Sequence, residues 1–255
     1  MNIQINGIDL HYAVAGEGKE SIVILPGWGA TSAVYTLMIK QLSEVYTVYT
    51  LDLPGFGITP EPPVAWSIDD YARLVMDFLQ ACGLTSVILM GHSYGGRIII
   101  NLCNRDCPFT ISRVVLIDSA GIKTPLSAAQ QKKQKKYARA KKFYQTKLMR
   151  TLFPNAIRNL QNRFGSADYA AASPIMKQTL VKAVTEDYTD ILPGVTPPTL
   201  LIWGDRDTAT PISDAYTMHR AISGSRLEVI EGAGHFPFVD QPFEFMKILR
   251  THFDL

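Results

Sequence analysis

The feature that most constrains this chain is a series of short apolar runs: SIVIL (21–25), VYTVYTL (45–51), SVILM (86–90), RVVLI (113–117), PTLLIW (198–203) and RLEVI (226–230). Each is too short for a helix. Each is rich in aliphatic and β-branched residues with little polar alternation, the pattern of a strand covered on both faces. The N-terminus reads differently. Ile3, Ile5, Ile8, Leu10, Tyr12 and Val14 alternate on either side of Asn6-Gly7, which predicts a hairpin. The two readings together predict a mostly parallel sheet of eight strands that opens with an antiparallel pair.

Helical patterns fill the intervals. In SIDDYARLVMDFLQAC, Ser67 precedes Asp70 by three residues, a capping-box spacing. Ile68, Tyr71, Leu74, Val75, Phe78 and Leu79 then recur at helical period. Pro211 in TPISDAYTMHRAI suits a first helical turn, and QPFEFMKILRTHF reads as a last helix. Strand and helix alternating in this way imply a doubly wound α/β architecture. At 255 residues and 47% hydrophobic, the chain suffices for one large core.

The rhythm breaks between about residues 122 and 190, which read as mostly helical. The expected organisation is therefore a core of 1–121 and 191–255 with a helical cap inserted at 122–190. From 121 to 167 the sequence holds twelve Lys and Arg and no Asp or Glu, leaving thirteen basic residues against 23 acidic ones elsewhere. A run such as KKQKKYARAKK reads first as a solvated helix face. Steering of anionic substrates and contact with an acidic membrane surface or partner are the further readings. No recognition motif accompanies it, so nucleic acid is not an expected partner. Cys82, Cys103 and Cys107 are few, odd in number and without zinc-type pairing, and read as reduced thiols. There is no basic segment followed by an apolar run at the start and no apolar stretch of about 18 residues. Neither a signal peptide nor a spanning helix is expected, and a cytoplasmic location is the default.

The stretch MGHSYGGR (90–97) carries the chemistry. Gly91-His92-Ser93-Tyr94-Gly95 follows the strand SVILM and precedes the helical run RIIINLCNR. A G-x-S-x-G sequence at a strand-to-helix turn is the context of a nucleophile elbow. There the serine hydroxyl stands at the carboxyl end of the sheet, where open α/β folds hold ligands. A serine needs a base, and the base an orienting acid. Of the histidines beyond Ser93, His219 and His252 fall inside helical patterns. His235 sits in the loop EGAGHFPFVDQP after the strand RLEVI, which makes it the candidate base. Asp205 and Asp207, in WGDRDTATP, and Asp118, after RVVLI, are candidate acids.

With these motifs in order, LPGWG, DLPGFG, GHSYGG, WGDRDTATP and GAGHFPFVDQP, the sequence resembles the α/β-hydrolase fold family in its cap-bearing branch. The resemblance covers nearly the whole chain outside the cap. It implies Ser93, Asp207 and His235 as a catalytic triad, Asp205 as a loop-shaping residue, and Asp118 as an alternative acid position. It also implies an oxyanion hole from the amides of Tyr94 and Trp28, with both residues lining the substrate site and DLPGFG serving as a structural turn. The family commonly carries His-Gly where this chain has Pro26-Gly27.

The expected activity is that of a serine hydrolase, foremost a carboxylesterase acting on small to medium acyl esters with water as second substrate. A carbon–carbon bond hydrolase of vinylogous diketo acids and a slow-turnover ligand receptor are the alternatives. No metal or organic cofactor is implied.

Overall fold

The computed structural model of the chain describes residues 1–123, 128–153, 155–156 and 167–253. Its centre is an eight-stranded sheet in the order β1-β2-β4-β3-β5-β6-β7-β8. The strands are β1 (Asn2–Ile5), β2 (Ile8–Ala15), β3 (Ser21–Leu25), β4 (Thr47–Leu51), β5 (Ser86–His92), β6 (Thr110–Ile117), β7 (Thr199–Gly204) and β8 (Arg226–Ile230). The hairpin β1–β2 and the pair β2–β4 are antiparallel, and every other neighbouring pair is parallel. Asn6 and Gly7 both take positive φ at the hairpin turn, as a two-residue loop of this kind requires.

The central apolar runs are continuous because both faces of the sheet are covered there, and period two divides each run between two cores; RLEVI, expected to be covered on both faces, is instead the edge strand β8, where Val229 is exposed and Ile230 alone is fully buried. Val23 and Leu25, Leu89, Leu116, and Leu201 and Trp203 face one core with helices α2 (Ile68–Ala81) and α3 (Tyr94–Cys103). Ile22 and Ile24, Met90, Ile117 and Ile202 face the other with α1 (Thr36–Leu42) and the last helix, Pro242–Phe253. The capping box at the start of α2 is formed: Ser67 accepts from the Asp70 amide while the Asp70 carboxylate accepts from the Ser67 amide.

Between β6 and β7 the described residues are helical: α4 (Ala128–Tyr144), α5 (Lys147–Leu152), α6 (Ala167–Ala171) and α7 (Pro174–Thr185), then a 3₁₀ turn at Thr189–Gly194. Arg158 and Arg163, two of the twelve basic residues counted in this stretch, lie outside the described residues. Helix α7 is latched to the loop between β4 and α2. Ser173 caps α7 and its hydroxyl donates to Glu61 (2.7 Å), Lys182 donates to the Ala65 carbonyl (2.6 Å), and the Trp66 amide donates to Thr179 (3.1 Å). Beyond β7 come α8 (Ile212–Ala221), α9 (Pro237–Asp240) and α10 (Pro242–Phe253). Pro211 stands one residue before α8, as its N-cap. Among the described residues no helix is long and apolar enough to cross a membrane.

The connections set where a site forms. From β3 the chain moves to β4 on one side, and from β5 to β6 on the other, so the order reverses between β3 and β5. A crevice opens at such a switch point, beyond the carboxyl ends of the strands. Leu25, the last residue of β3, is in register with Gly91, and Gly91 with Leu116. The loops that follow β3 and β5 therefore leave the sheet side by side.

Candidate active site

Ser93 is the residue between β5 and α3, with φ 50° and ψ −108°. Positive φ at a non-glycine residue is uncommon, and a turn this tight demands small neighbours. A Cβ at Gly91 would lie 2.8 Å from the Gly95 carbonyl carbon, and one at Gly95 would strike the Leu25 carbonyl oxygen. A Cβ at Gly96 would collide with the Ser119 hydroxyl. The glycines let α3 start directly against β3 and β6. Tyr94 is the first residue of α3, so its amide has no carbonyl within the helix to bond. The helix N-terminus also places positive dipole charge beside the serine.

The Ser93 hydroxyl is 2.9 Å from His235 Nε2, and His235 Nδ1 is 2.7 Å from Asp207 Oδ2. His235 comes from the loop after β8 and Asp207 from the loop after β7. These two loops are tied to each other: the Asp205 carboxylate accepts from the Gly232 amide (2.7 Å), and the Arg206 amide donates to the Ala233 carbonyl (2.9 Å). Asp205 thus shapes the loop while Asp207 points inward. The Asp207 carboxylate is fully buried. It accepts from the amides of Ala209 (2.7 Å) and Thr210 (3.1 Å) and from the Thr210 hydroxyl (2.5 Å). Burial pushes its pKa up, but the hydrogen bonds from His235 and Thr210 outweigh burial and hold it down at about 2.

Asp118, the third candidate acid, is buried behind this pair with φ 40°. Its Oδ1 accepts from the Gly204 amide at 3.0 Å, and it makes no hydrogen bond to His235. Burial, reinforced by the negative charge of Asp207, lifts its pKa to about 9 against the Gly204 amide. At neutral pH Asp118 is therefore a neutral acid and Asp207 the anion beside the imidazole. His219 and His252 lie in α8 and α10, away from Ser93, bonded to Ser225 and to the Ile248 carbonyl.

The loop after β3 brings Gly27 and Trp28 to the serine. A Cβ on Gly27 would be 3.5 Å from the Ser93 Cβ. The Gly27 amide is already engaged: it donates to the Tyr35 hydroxyl at 3.0 Å. The Trp28 ring is half-buried and meets Phe56 (4.7 Å between centroids) and Tyr94 (5.2 Å) edge-on. Phe56 belongs to the DLPGFG turn, which Asp52 holds through the Ile58 amide (3.0 Å). The ring of Tyr94 is itself buried, edge-on to Tyr71 at 5.5 Å between centroids.

Two residues that sequence reasoning leaves unassigned complete the arrangement. His92 is buried, with Nε2 2.8 Å from the His235 carbonyl oxygen and Nδ1 3.2 Å from the Tyr35 hydroxyl. Burial, aided by the charge of His235, lowers its pKa to about 3, so the ring is neutral. A carbonyl can only accept, so the proton is on Nε2 and Nδ1 accepts. The relay then has one direction: Gly27 N–H to Tyr35 oxygen, Tyr35 O–H to His92 Nδ1, His92 Nε2–H to the His235 carbonyl. It joins the Trp28 loop to the histidine loop through the strand that carries Ser93. His92 carries a sequence signal, a polar residue closing an otherwise buried run next to Ser93. Tyr35 carries none.

Comparison with known proteins agrees with this fold. A family model described as the alpha/beta hydrolase fold matches residues 20–242. Among curated proteins, a pimeloyl-[acyl-carrier protein] methyl ester esterase of Vibrio vulnificus is 24% identical over 258 residues, covering 95% of this chain and 97% of the relative. Among solved structures, a membrane phospholipase A described as a bacterial virulence factor matches with a TM-score of 0.78 at 26% identity, over 100% of this chain and 85% of that one. An esterase from Exiguobacterium antarcticum matches with a TM-score of 0.77 at 24% identity, over 100% and 99%.

Proposed function

Because the chain belongs to the α/β-hydrolase fold family, matched across most of its length, we propose that it hydrolyses carboxylic esters through an acyl-enzyme on Ser93. The reading rests on one observation above the rest: an unbroken line from Ser93 Oγ to His235 Nε2 (2.9 Å) and from His235 Nδ1 to Asp207 Oδ2 (2.7 Å), at a serine held in a strained turn.

Ser93 Oγ attacks the ester carbonyl carbon as His235 Nε2 takes its proton. The carbonyl oxygen becomes an oxyanion, met by the amides of Tyr94 and Trp28 and by the N-terminus of α3. His235 then gives the proton from Nε2 to the departing alkoxide, which leaves as an alcohol. Water attacks the acyl-enzyme, His235 Nε2 takes its proton, and collapse releases the acid and restores Ser93. Through both halves Asp207 stays ionised and accepts from Nδ1–H, which fixes the tautomer that leaves Nε2 basic. Relatives named as esterases support an ester as the electrophile. The aromatic wall of Trp28 and Phe56 suits small to medium apolar acyl groups. The segment 122–190 serves as a cap over this crevice, with α7 as its fixed end.

Hydrolysis of a chain-length series of p-nitrophenyl esters tests the reading. The expected outcome is turnover by the wild type, greatest for short to medium chains, and a fall of about 10³-fold or more in Ser93→Ala with its circular dichroism unchanged. No ester turnover by folded wild-type protein refutes the esterase reading. Turnover of a vinylogous diketo acid in that case would assign the carbon–carbon hydrolase instead.

A further inference from the structure

Helix α4 carries charge that the reaction above does not use. Lys132, Lys135, Lys136, Arg139 and Lys142 are all exposed. Their spacings of three and four residues gather them on one side of the helix, and Phe143 lies on that side as well. Tyr137, Ala140 and Tyr144, on the opposite side, are half-buried. Among the described residues no carboxylate forms a salt bridge with these five cations. The absence of Asp and Glu from 121 to 167 keeps the face free of local neutralisation.

The cationic face ends at Phe143, and two more exposed apolar side chains follow at the end of α5. Phe143 is 56% exposed, Leu152 58% and Phe153 54%. The Tyr144 ring links the aromatics, 5.3 Å from Phe143 and 6.2 Å from Phe153. Exposed apolar side chains rimmed by charge mark an interaction surface. It matches a bilayer surface, where Lys and Arg reach anionic headgroups and aromatic rings settle at the acyl boundary. We propose that the exposed face of α4, with Phe143, Leu152 and Phe153, docks on an anionic lipid bilayer.

Charge asymmetry fixes the orientation. Outside 121–167 the chain has thirteen basic and 23 acidic residues. An anionic surface attracts α4 and repels the rest, so the molecule meets the bilayer insert first. Lipid is the occupant assigned because a bilayer surface meets both features at once, anionic headgroups for the five cations and an acyl boundary for the apolar side chains. The inference stands apart from the ester chemistry, since binding is read without turnover.

Co-sedimentation of the full chain with vesicles tests it. The probes are phosphatidylcholine alone and phosphatidylcholine with one third phosphatidylglycerol, at low and high salt. Binding to the anionic vesicles is expected to exceed binding to neutral ones at least tenfold and to weaken with salt. Each removed cation is expected to cost about fivefold, so K132E/K136E/R139E should lose at least about 100-fold. F143S/F153S, with every charge kept, should lose at least severalfold. All the altered side chains are exposed, and circular dichroism checks that both variants keep their fold. No binding to anionic vesicles at low salt, or equal binding to neutral ones, overturns the proposal. Unchanged binding by F143S/F153S also overturns it, and points to a soluble polyanion as the occupant.

Discussion

The neutral imidazole of His92 makes acid stability a direct test of the relay. Its pKa is about 6.5 in the unfolded chain and about 3 in the folded one, because burial disfavours the charged ring. The unfolded chain therefore takes up a proton, as pH falls below 6.5, that the folded chain refuses. Stability from this depressed pKa is present above 6.5 and lost as pH falls toward 3. Between pH 8 and pH 5 the loss amounts to about 2 kcal/mol, equivalent to about 4–8 °C in Tm for a chain of this size. His92→Gln removes the titration while leaving an amide donor within reach of the His235 carbonyl. The variant should be the less stable protein at pH 8, since the link to Tyr35 is weakened, and should then lose about 2 kcal/mol less than wild type on going to pH 5. Urea unfolding at the two pH values measures both differences, and groups common to the two proteins cancel. Equal losses in wild type and His92→Gln would refute the reasoning, because they would mean that burial does not hold the ring neutral.

Three other substitutions probe the same machinery. Tyr35→Phe strips the partner from the Gly27 amide and from His92 Nδ1; it should lower stability by about 1–3 kcal/mol, and p-nitrophenyl ester kinetics should show kcat down about tenfold with KM changed less than about twofold, as expected when the Trp28 amide is displaced from a developing oxyanion. Asp207→Asn should reduce kcat by about 10⁴ by stabilising the wrong tautomer of His235. Asp118→Asn should leave kcat within about threefold of wild type, because a carboxyl raised to about 9 is already neutral at pH 7; a loss as large as that of Asp207→Asn would make Asp118 the working acid.

What is legible in this sequence is what is local. The central strands announce themselves because both faces of the sheet are covered there, so SVILM or TLLIW needs no alternation to be read. Ser93 and His235 are readable one at a time, each from the loop that follows its own strand, because a strand's carboxyl end, a glycine-rich turn and a reactive side chain fall within about ten residues; Asp207 is one of three candidate acids in such loops until the family resemblance singles it out. The sheet order then brings the three loops together. The capping box of α2 and the basic run of α4 are local in the same sense.

What stays hidden is what only the assembled sheet creates. Tyr35 sits in a short 3₁₀ turn with no motif around it, and its partners are eight residues away at Gly27 and 57 away at His92. Nothing in one dimension marks it. Its role follows from a substitution that the sequence does display. The family's histidine at the loop after β3 is here Pro26, which has no side-chain donor and no amide hydrogen. The Tyr35 hydroxyl supplies support to that loop by accepting from the Gly27 amide at 3.0 Å. The same logic separates the two carboxyls that sequence alone cannot rank. Asp118 and Asp207 end adjacent strands and converge on one buried spot, where two negative charges cannot both persist. Asp207 receives two amides, a hydroxyl and an imidazole, whereas Asp118 receives one amide. The charge settles where the donors are, and the donors follow from the turn that Thr210 closes after β7.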